Sequence, residues 1–176
     1  MDLDPMDRRI LFLAWVARAS RMGFFTREEW LRACGQLRAG TPASVADALT
    51  PLSASVDAPR SSTFSDFFEF AFKYCLTEAS QKIIDLETAA QMLSLALPQQ
   101  KASCPHRQPM IDFLLKHQKE YKTVNADQWR GIGRFVREVN DPACGDFEDD
   151  GAWPLLLDNY VEWVRTGGGG AVAEGK

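Results

Sequence analysis

The stretch RASRMGFFTREE, residues 18–29, has the outline of an EF-hand loop. Gly23 stands at the sixth position, where such a loop turns sharply, and Phe25 and Glu29 stand at the eighth and twelfth. Thr26 and Glu29 have the T-x-x-E spacing of a capping box, which starts a helix. The stretch therefore predicts two helices joined by a tight loop, the first ending near the glycine and the second beginning after the threonine.

The ligand positions of this loop are wrong for calcium. Arg18, Ser20 and Met22 occupy positions one, three and five. A guanidinium and a thioether cannot ligate a hard cation that prefers carboxylate and carbonyl oxygens. The segment EASQKIIDLET, residues 78–88, resembles a second and more degraded loop. We predict EF-hand-like units that bind no calcium, while an ordinary helical hairpin would predict the same absence.

Helical periodicity dominates the rest of the chain, and strand alternation is nearly absent. In DGAWPLLLDNYVEWVR, residues 150–165, Asp158 falls on the polar side of a predicted helix. The pattern predicts about eight helices in one all-α domain over residues 1–165, with a loop at 52–62 and a flexible glycine-rich tail at 166–176. The apolar side of the last helix is predicted to carry Trp153, Leu156, Leu157, Tyr160, Val161 and Val164.

Composition narrows the function. The chain of 176 residues has a net charge of −4 and a sequence pI of about 5.2, which argues against general nucleic-acid binding and allows a basic protein partner. It has no secretory signal pattern and no apolar run near the roughly 20 residues of a membrane span. No two of the four cysteines have C-x-x-C spacing, so we expect free thiols in the cytoplasm or the nucleus.

Signals for catalysis are weak. The sequence has no phosphate-binding loop, dinucleotide fingerprint or zinc-protease motif. Cys104 and His106, with His117 further on, fit no closed zinc pattern, so we predict no metal and no cofactor. A Cys75–His117 pair leaves open a small hydrolase or transferase with a cysteine nucleophile. A cysteine on an aromatic helical face is more typical of a core, and we predict an interaction module rather than an enzyme.

Four blocks together carry a family resemblance: LAWVARASRMGFFTREEW, FFEFAFKYCLTEASQKIIDLETA, NADQW and DGAWPLLLDNYVEW. In order and spacing they resemble the potentiating-neddylation (PONY) domain of the defective-in-cullin-neddylation (DCN-like) family, over nearly the whole chain. The resemblance implies an all-helical fold with EF-hand-like helix pairs that bind no calcium. It also implies a scaffold-type ligase cofactor, which promotes transfer of the neddylation modifier to cullins and needs no catalytic residue of its own.

The resemblance implies a docking surface for the C-terminal winged-helix region of a cullin. The family's Asp, Ala and Asp of this surface fall on Asp127, Ala152 and Asp158, here called the docking triplet. Two carboxylates can accept charge-assisted hydrogen bonds from Lys or Arg of a partner, and a small alanine allows close approach. We expect a monomer that presents this surface, with a plain solvated helix face as the alternative.

A second site is implied for the N-terminally acetylated methionine of the neddylation conjugating enzyme. An acetylated amine carries no charge, so it can enter an apolar pocket without the desolvation cost of an ammonium. Eight apolar or aromatic positions match the family's pocket: Ile10, Leu13, Ala14, Ala17, Met22, Phe25, Tyr74 and Leu95.

One departure from the family affects this pocket. The chain starts at the segment matching LDPMD, so the resemblance predicts that an upstream helix pair, which forms part of the pocket wall in the family, is missing here. The alternative function is a degenerate EF-hand adaptor that binds an amphipathic partner helix in an apolar groove. Binding to a cullin C-terminal domain separates the two functions.

Calcium titration tests the loop assignment. Because Arg18 and Met22 occupy ligand positions, calorimetry on the protein is expected to detect no site in the sensor range of about 10⁻⁷–10⁻⁵ M. A calcium site of micromolar affinity would contradict the assignment.

Overall fold

A computed structural model describes residues 4, 7–78, 80–149 and 151–168, and their helical content confirms the predicted all-α class. Two short strands, β1 (Ile83–Asp85) and β2 (Thr123–Asn125), pair antiparallel. None of the described helices is both long and apolar enough to cross a membrane. The helices are α1 (Arg8–Ala17), α2 (Arg27–Leu37), α3 (Pro42–Leu49), α4 (Leu52–Val56), α5 (Ser62–Tyr74), α6 (Leu86–Ala96), α7 (Arg107–Asp112) with a π-helical turn (Phe113–His117), α8 (Ala126–Glu138) and α9 (Leu155–Arg165).

The loop between α1 and α2 is held by one carboxylate. Arg18 ends α1 with a left-handed φ of 51°, and Gly23 turns the loop with a φ of 73°. The predicted capping box is present, since Thr26 and Glu29 each accept a hydrogen bond from the other's backbone amide. The other Glu29 oxygen accepts from the backbone N–H of Ser20 at 2.8 Å. The twelfth-position glutamate therefore binds the loop's own backbone, a geometry compatible with an EF-hand-like unit.

The β1–β2 pair joins two further helix–loop–helix segments, α5–β1–α6 and α7–β2–α8. Ile84 lies opposite Val124, and both side chains are buried. Each strand ends at the N-cap of the next helix, where Asp85 and Asn125 accept hydrogen bonds from backbone amides of the first turn. The first segment contains residues 78–88, the predicted degraded loop. The strand pairing therefore sets where α6 and α8 begin.

The aromatic core fixes α5 between α1 and α8. The ring centroids of Phe67 in α5 and Phe12 in α1 lie 5.2 Å apart. On the other side, Trp129 of α8 stacks on Phe68 at 4.7 Å, and its indole N–H donates to the Phe68 carbonyl at 2.8 Å. Stacked aromatic pairs add to the free energy of area burial, and the buried N–H is satisfied. The position of α8 is thus set by packing as well as by its cap.

The last helix begins later than the sequence pattern predicts. Trp153 was expected on its apolar face, but α9 starts at Leu155. A residue before proline is disfavoured in helical conformations, so Pro154 keeps Trp153 outside the helix. Trp153 is nonetheless 9% exposed, and its indole N–H donates to the carbonyl of Glu148 at 2.9 Å. It therefore anchors the preceding loop instead of the helix.

Two other segment predictions have different outcomes. The predicted loop at 52–62 is wrong in part, because its first residues form α4. Val56 is fully buried there, and it lies one turn after Leu52, which packs against the core. Of the predicted tail, residues 169–176 lie outside the described residues.

A neutral histidine is buried beneath α9. His106 is 1% exposed, and its Nδ1 forms a 2.9 Å hydrogen bond with the hydroxyl of Tyr160. Its Nε2 is buried, without a hydrogen-bond partner among the described residues. Burial lowers the pKa of His106, although nearby Asp141 and Asp146 act in the opposite direction. The folded protein therefore resists protonation of this imidazole more than the unfolded chain does.

This burial predicts a pH dependence of stability. Above the ordinary histidine pKa of 6.5, His106 is neutral in both states and costs nothing. Below it, the unfolded chain binds the proton first, so the free energy of unfolding is expected to fall by at most about 1.4 kcal/mol per pH unit until the lowered folded pKa is reached. Urea unfolding at pH 7.5, 6.5 and 5.5 measures it. His106→Gln should flatten the slope between pH 6.5 and 5.5, and equal slopes for the two proteins would contradict the assignment.

Candidate functional site

Gly131 lets the start of α9 approach α8 closely. A Cβ at this position would lie 2.7 Å from Cγ of Pro154 and 3.2 Å from Cδ1 of Leu157, so a larger residue would require α9 to move. The first member of the docking triplet lies one turn before Gly131 on α8. The other two flank the segment from Pro154 to Leu157 in sequence. The structure thus brings the chain segments that carry the triplet to one helix contact.

Asp127 lies in the first turn of α8 with its side chain in solvent. Its backbone N–H donates to the side chain of Asn125, which also completes a capping box with Gln128. This cap fixes the start of α8 at Ala126. The Asp127 side chain is 86% exposed and forms an ion pair with Arg130 at 2.7 Å. The carboxylate is accessible to a partner, and a positive charge already lies beside it.

Ala152 is an exposed loop residue that lies between a tight turn at Gly151 and the buried Trp153. Gly151 has a φ of 71°, which L side chains rarely adopt, and it turns the chain just before Ala152. Trp153 follows, and the guanidinium of Arg134 lies 4.0 Å above its ring. A cation over an indole face is attracted by the ring quadrupole. The alanine is therefore presented at the surface by a turn on one side and a buried aromatic ring on the other.

Asp158 is half-buried, which differs from the solvated side chain that the periodicity predicts. Its Oδ1 is buried and accepts no hydrogen bond from any described residue. Burial raises the pKa of this carboxyl, and the nearby carboxylate of Asp149 raises it further. The free protein thus stabilises the Asp158 carboxylate poorly. A hydrogen-bond donor with a positive charge would satisfy it.

Sequence reasoning missed two neighbours of the triplet. Arg130 follows Asp127 by three residues, a spacing at which helical side chains meet, so its ion pair could have been predicted. Leu155, the first residue of α9, is 63% exposed, which the periodicity alone did not single out. The site therefore combines carboxylates, a small residue and an exposed aliphatic side chain.

The eight predicted pocket residues lie on α1, the α1–α2 loop, α5 and α6, and half of them are buried in the core. Leu13, Ala14 and Ala17 of α1 are at most 2% exposed, so no ligand reaches them without movement of the surrounding helices. Met22 is 46% exposed on the α1–α2 loop. Tyr74 of α5 is buried, and its hydroxyl accepts a hydrogen bond from a backbone N–H of that loop. Ile10, Phe25 and Leu95 are half-buried.

A surface groove of about 320 Å³ lies beside part of this region. It is lined by Tyr74 and Phe70 of α5 and by Arg18, Ala19 and Ser20 after α1, together with charged residues of α5. Of the eight predicted residues, only Tyr74 lines it. Among the described residues, the docking triplet is thus better placed for contact than the predicted pocket.

The three buried cysteines are poorly suited to nucleophilic chemistry. Burial raises the pKa of Cys75 to about 12 and those of Cys104 and Cys144 to about 11. The thiolate is the reactive form, and a raised pKa removes it at neutral pH. His117, the base proposed for Cys75, instead lies 4.8 Å from the ring of Trp163 on α9. The geometry favours binding over covalent catalysis.

Comparisons with known proteins point to a family described by its binding partner. A family model described as cullin binding matches residues 44–163. The chain is 32% identical over 163 residues to DCN1-like protein 4 of Danio rerio and 33% identical over 169 residues to DCN1-like protein 5 of Homo sapiens. It is 34% identical over 163 residues to DCN1-like protein 2 of Dictyostelium discoideum.

Coverage is uneven in these comparisons. Each match includes 93% of this chain but only 55%, 65% and 58% of the three relatives, respectively. The family model itself begins in α3 and ends near the last turn of α9, so it includes all three members of the docking triplet. The chain therefore belongs to the cullin-binding family.

Proposed function

We propose that the chain is a non-catalytic scaffold that promotes cullin neddylation. Its docking triplet binds the C-terminal winged-helix region of a cullin, and a second surface binds the neddylation conjugating enzyme. Family membership supports a role in cullin neddylation. The particular surfaces and partners are inferred from the site and from the family resemblance.

One observation carries the cullin-docking proposal. Asp158 has a buried carboxylate oxygen that accepts no hydrogen bond from any described residue, and the carboxylate of Asp149 lies near enough to repel it. An unsatisfied buried polar group costs free energy in the free protein. A Lys or Arg of a partner that binds the accessible part of this half-buried carboxyl would offset that cost through its positive charge. The exposed Ala152 nearby leaves room for the partner's backbone.

Scaffolding needs no reacting group in this chain. Binding two partners at once raises their effective concentration and restricts their relative orientation. The acceptor lysine and the reactive thioester both belong to the partners. The raised thiol pKa values are consistent with that division.

We place the second surface, for the conjugating enzyme, at the α1–α2 loop. Tyr74 and Met22 are brought together at the α1–α2 loop through the hydrogen bond from the Gly23 amide to the Tyr74 hydroxyl, 3.1 Å long. An acetylated methionine would contact this exposed edge of the apolar region first. Entry to Leu13 and Ala14 requires α1 to shift, because both are buried.

Charge and size changes at the triplet test cullin docking. The triple variant Asp127→Ala, Ala152→Arg and Asp158→Asn is expected to abolish binding of a cullin C-terminal domain in calorimetry. Each desolvated charge contact contributes on the order of 2–5 kcal/mol, and the new arginine repels a basic partner. The melting temperature should not fall, because Asp127 and Ala152 are exposed. The raised pKa of Asp158 means that the folded protein disfavours a charge there, so a neutral Asn at this position should not destabilise it.

Glu162→Gln is the matched control for this variant. It removes one negative charge, as the Asp158→Asn change does, from an exposed position of α9 one turn after Asp158, and should leave cullin binding unchanged. A folded triple variant that binds the cullin domain as tightly as the unchanged protein would refute the docking surface.

Peptide binding tests the second surface. A conjugating-enzyme peptide with an acetylated N-terminal methionine should bind more tightly than its unacetylated form, because the free ammonium must be desolvated. Met22→Glu should weaken binding of the acetylated peptide, whereas Leu31→Glu, an equally exposed apolar position on α2, should not. A charged residue at the buried Leu13 would not serve as a test of peptide binding, because it would disrupt the core itself. Equal affinities for the two peptides would remove the pocket from the proposal.

A further inference from the structure

Arg130 lies between two carboxylates, one of which belongs to the docking triplet. Its Nη1 is 2.7 Å from Oδ1 of Asp127, and its Nε is 3.4 Å from Oε2 of Glu69 on α5. Glu69 also pairs with Lys73 at 3.4 Å. Four charges of alternating sign therefore run from the docking surface across α8 onto α5, and Arg130 is the link that both acids share.

Arg130 occupies the acceptor that a basic partner needs. Arg130 holds Oδ1 of Asp127 at 2.7 Å, so a partner lysine or arginine that binds this carboxylate competes with Arg130 for it, and the two cations repel each other. All three side chains are exposed, with 86% of Asp127, 56% of Arg130 and 38% of Glu69 accessible. Exposed side chains on a helix surface can change rotamer without disturbing the core.

The displaced guanidinium has a second carboxylate within reach. Its Nε is already near Glu69, so a change of rotamer can replace one ion pair with another and leave no charge unpaired. Lys73 also pairs with Glu69, which weakens the attraction of Glu69 for Arg130 and keeps the exchange reversible. A partner without a cation at this place would gain nothing from the exchange.

We propose that Arg130 is a specificity-determining residue of the docking surface. It covers Asp127 in the free protein and moves to Glu69 when a basic partner segment docks, so that only a partner with a cation opposite Asp127 can claim that carboxylate. The inference rests on the proposed cullin-docking function. It adds that Arg130 of this chain competes with a cation of the cullin for Asp127. It predicts that removing the Arg130 charge strengthens the binding of the partner.

The test measures the Kd of a cullin C-terminal domain for single and double variants. Arg130→Gln should tighten binding about two- to fivefold, the range expected for one exposed ion pair. Lys101→Gln removes the same charge from an exposed turn between α6 and α7 and should leave the Kd unchanged. Glu69→Gln should weaken binding by a similar factor, because Arg130 then has only Asp127 to pair with.

A double-mutant cycle separates local competition from net charge. In an Asp127→Asn background the gain from Arg130→Gln should disappear, because there is no carboxylate left to uncover. Unchanged or weaker binding by Arg130→Gln, or a gain of equal size in the Asp127→Asn background, would overturn the inference while leaving cullin docking intact. If the unmodified protein does not bind the cullin domain, the proposed function fails and the inference fails with it.

Discussion

The close contact between Gly131 and the start of α9 is the constraint on which the docking surface depends. With no side chain at this position, Pro154 and Leu157 lie directly against α8. The β1–β2 pairing and the Asn125 cap fix where α8 begins. The helix segments that carry Asp127 and Asp158, which are far apart in sequence, are therefore held together by one tight helix crossing. A larger residue at position 131 would change the relative position of the two helices without altering either acid.

The parts of the fold that could be predicted depend on short-range interactions. Thr26 and Glu29 form a capping box within four residues, so their spacing alone locates the start of α2. The family resemblance adds the order of the helices. Apolar periodicity continues across Pro154 and therefore predicts too early a start for α9. The helix begins only after this proline, because a residue before proline is disfavoured in helical conformations.

The family resemblance identifies the residues of the docking triplet, but it does not predict their burial, pKa or ion pairs. Burial raises the pKa of Asp158, and the carboxylate of Asp149, nine residues earlier in a loop, raises it further; neither effect follows from helical periodicity. The Arg130 pair with Asp127 is local, whereas its second partner, Glu69, comes from α5. A buried carboxylate oxygen without a donor among the described residues costs stability. Under the proposed function, folding and docking make opposite demands on this side chain.

The rate of modifier transfer to a cullin in a reconstituted reaction tests scaffolding most directly, measured as this protein is titrated against fixed conjugating enzyme and cullin. A two-site scaffold predicts a rate that rises and then falls once the protein exceeds both partners, since excess scaffold binds them on separate copies. The variant changed at Asp127, Ala152 and Asp158 should leave the basal rate unaltered at every concentration. A rate unaffected by the protein, or equal acceleration by that variant, would contradict cullin docking through this surface.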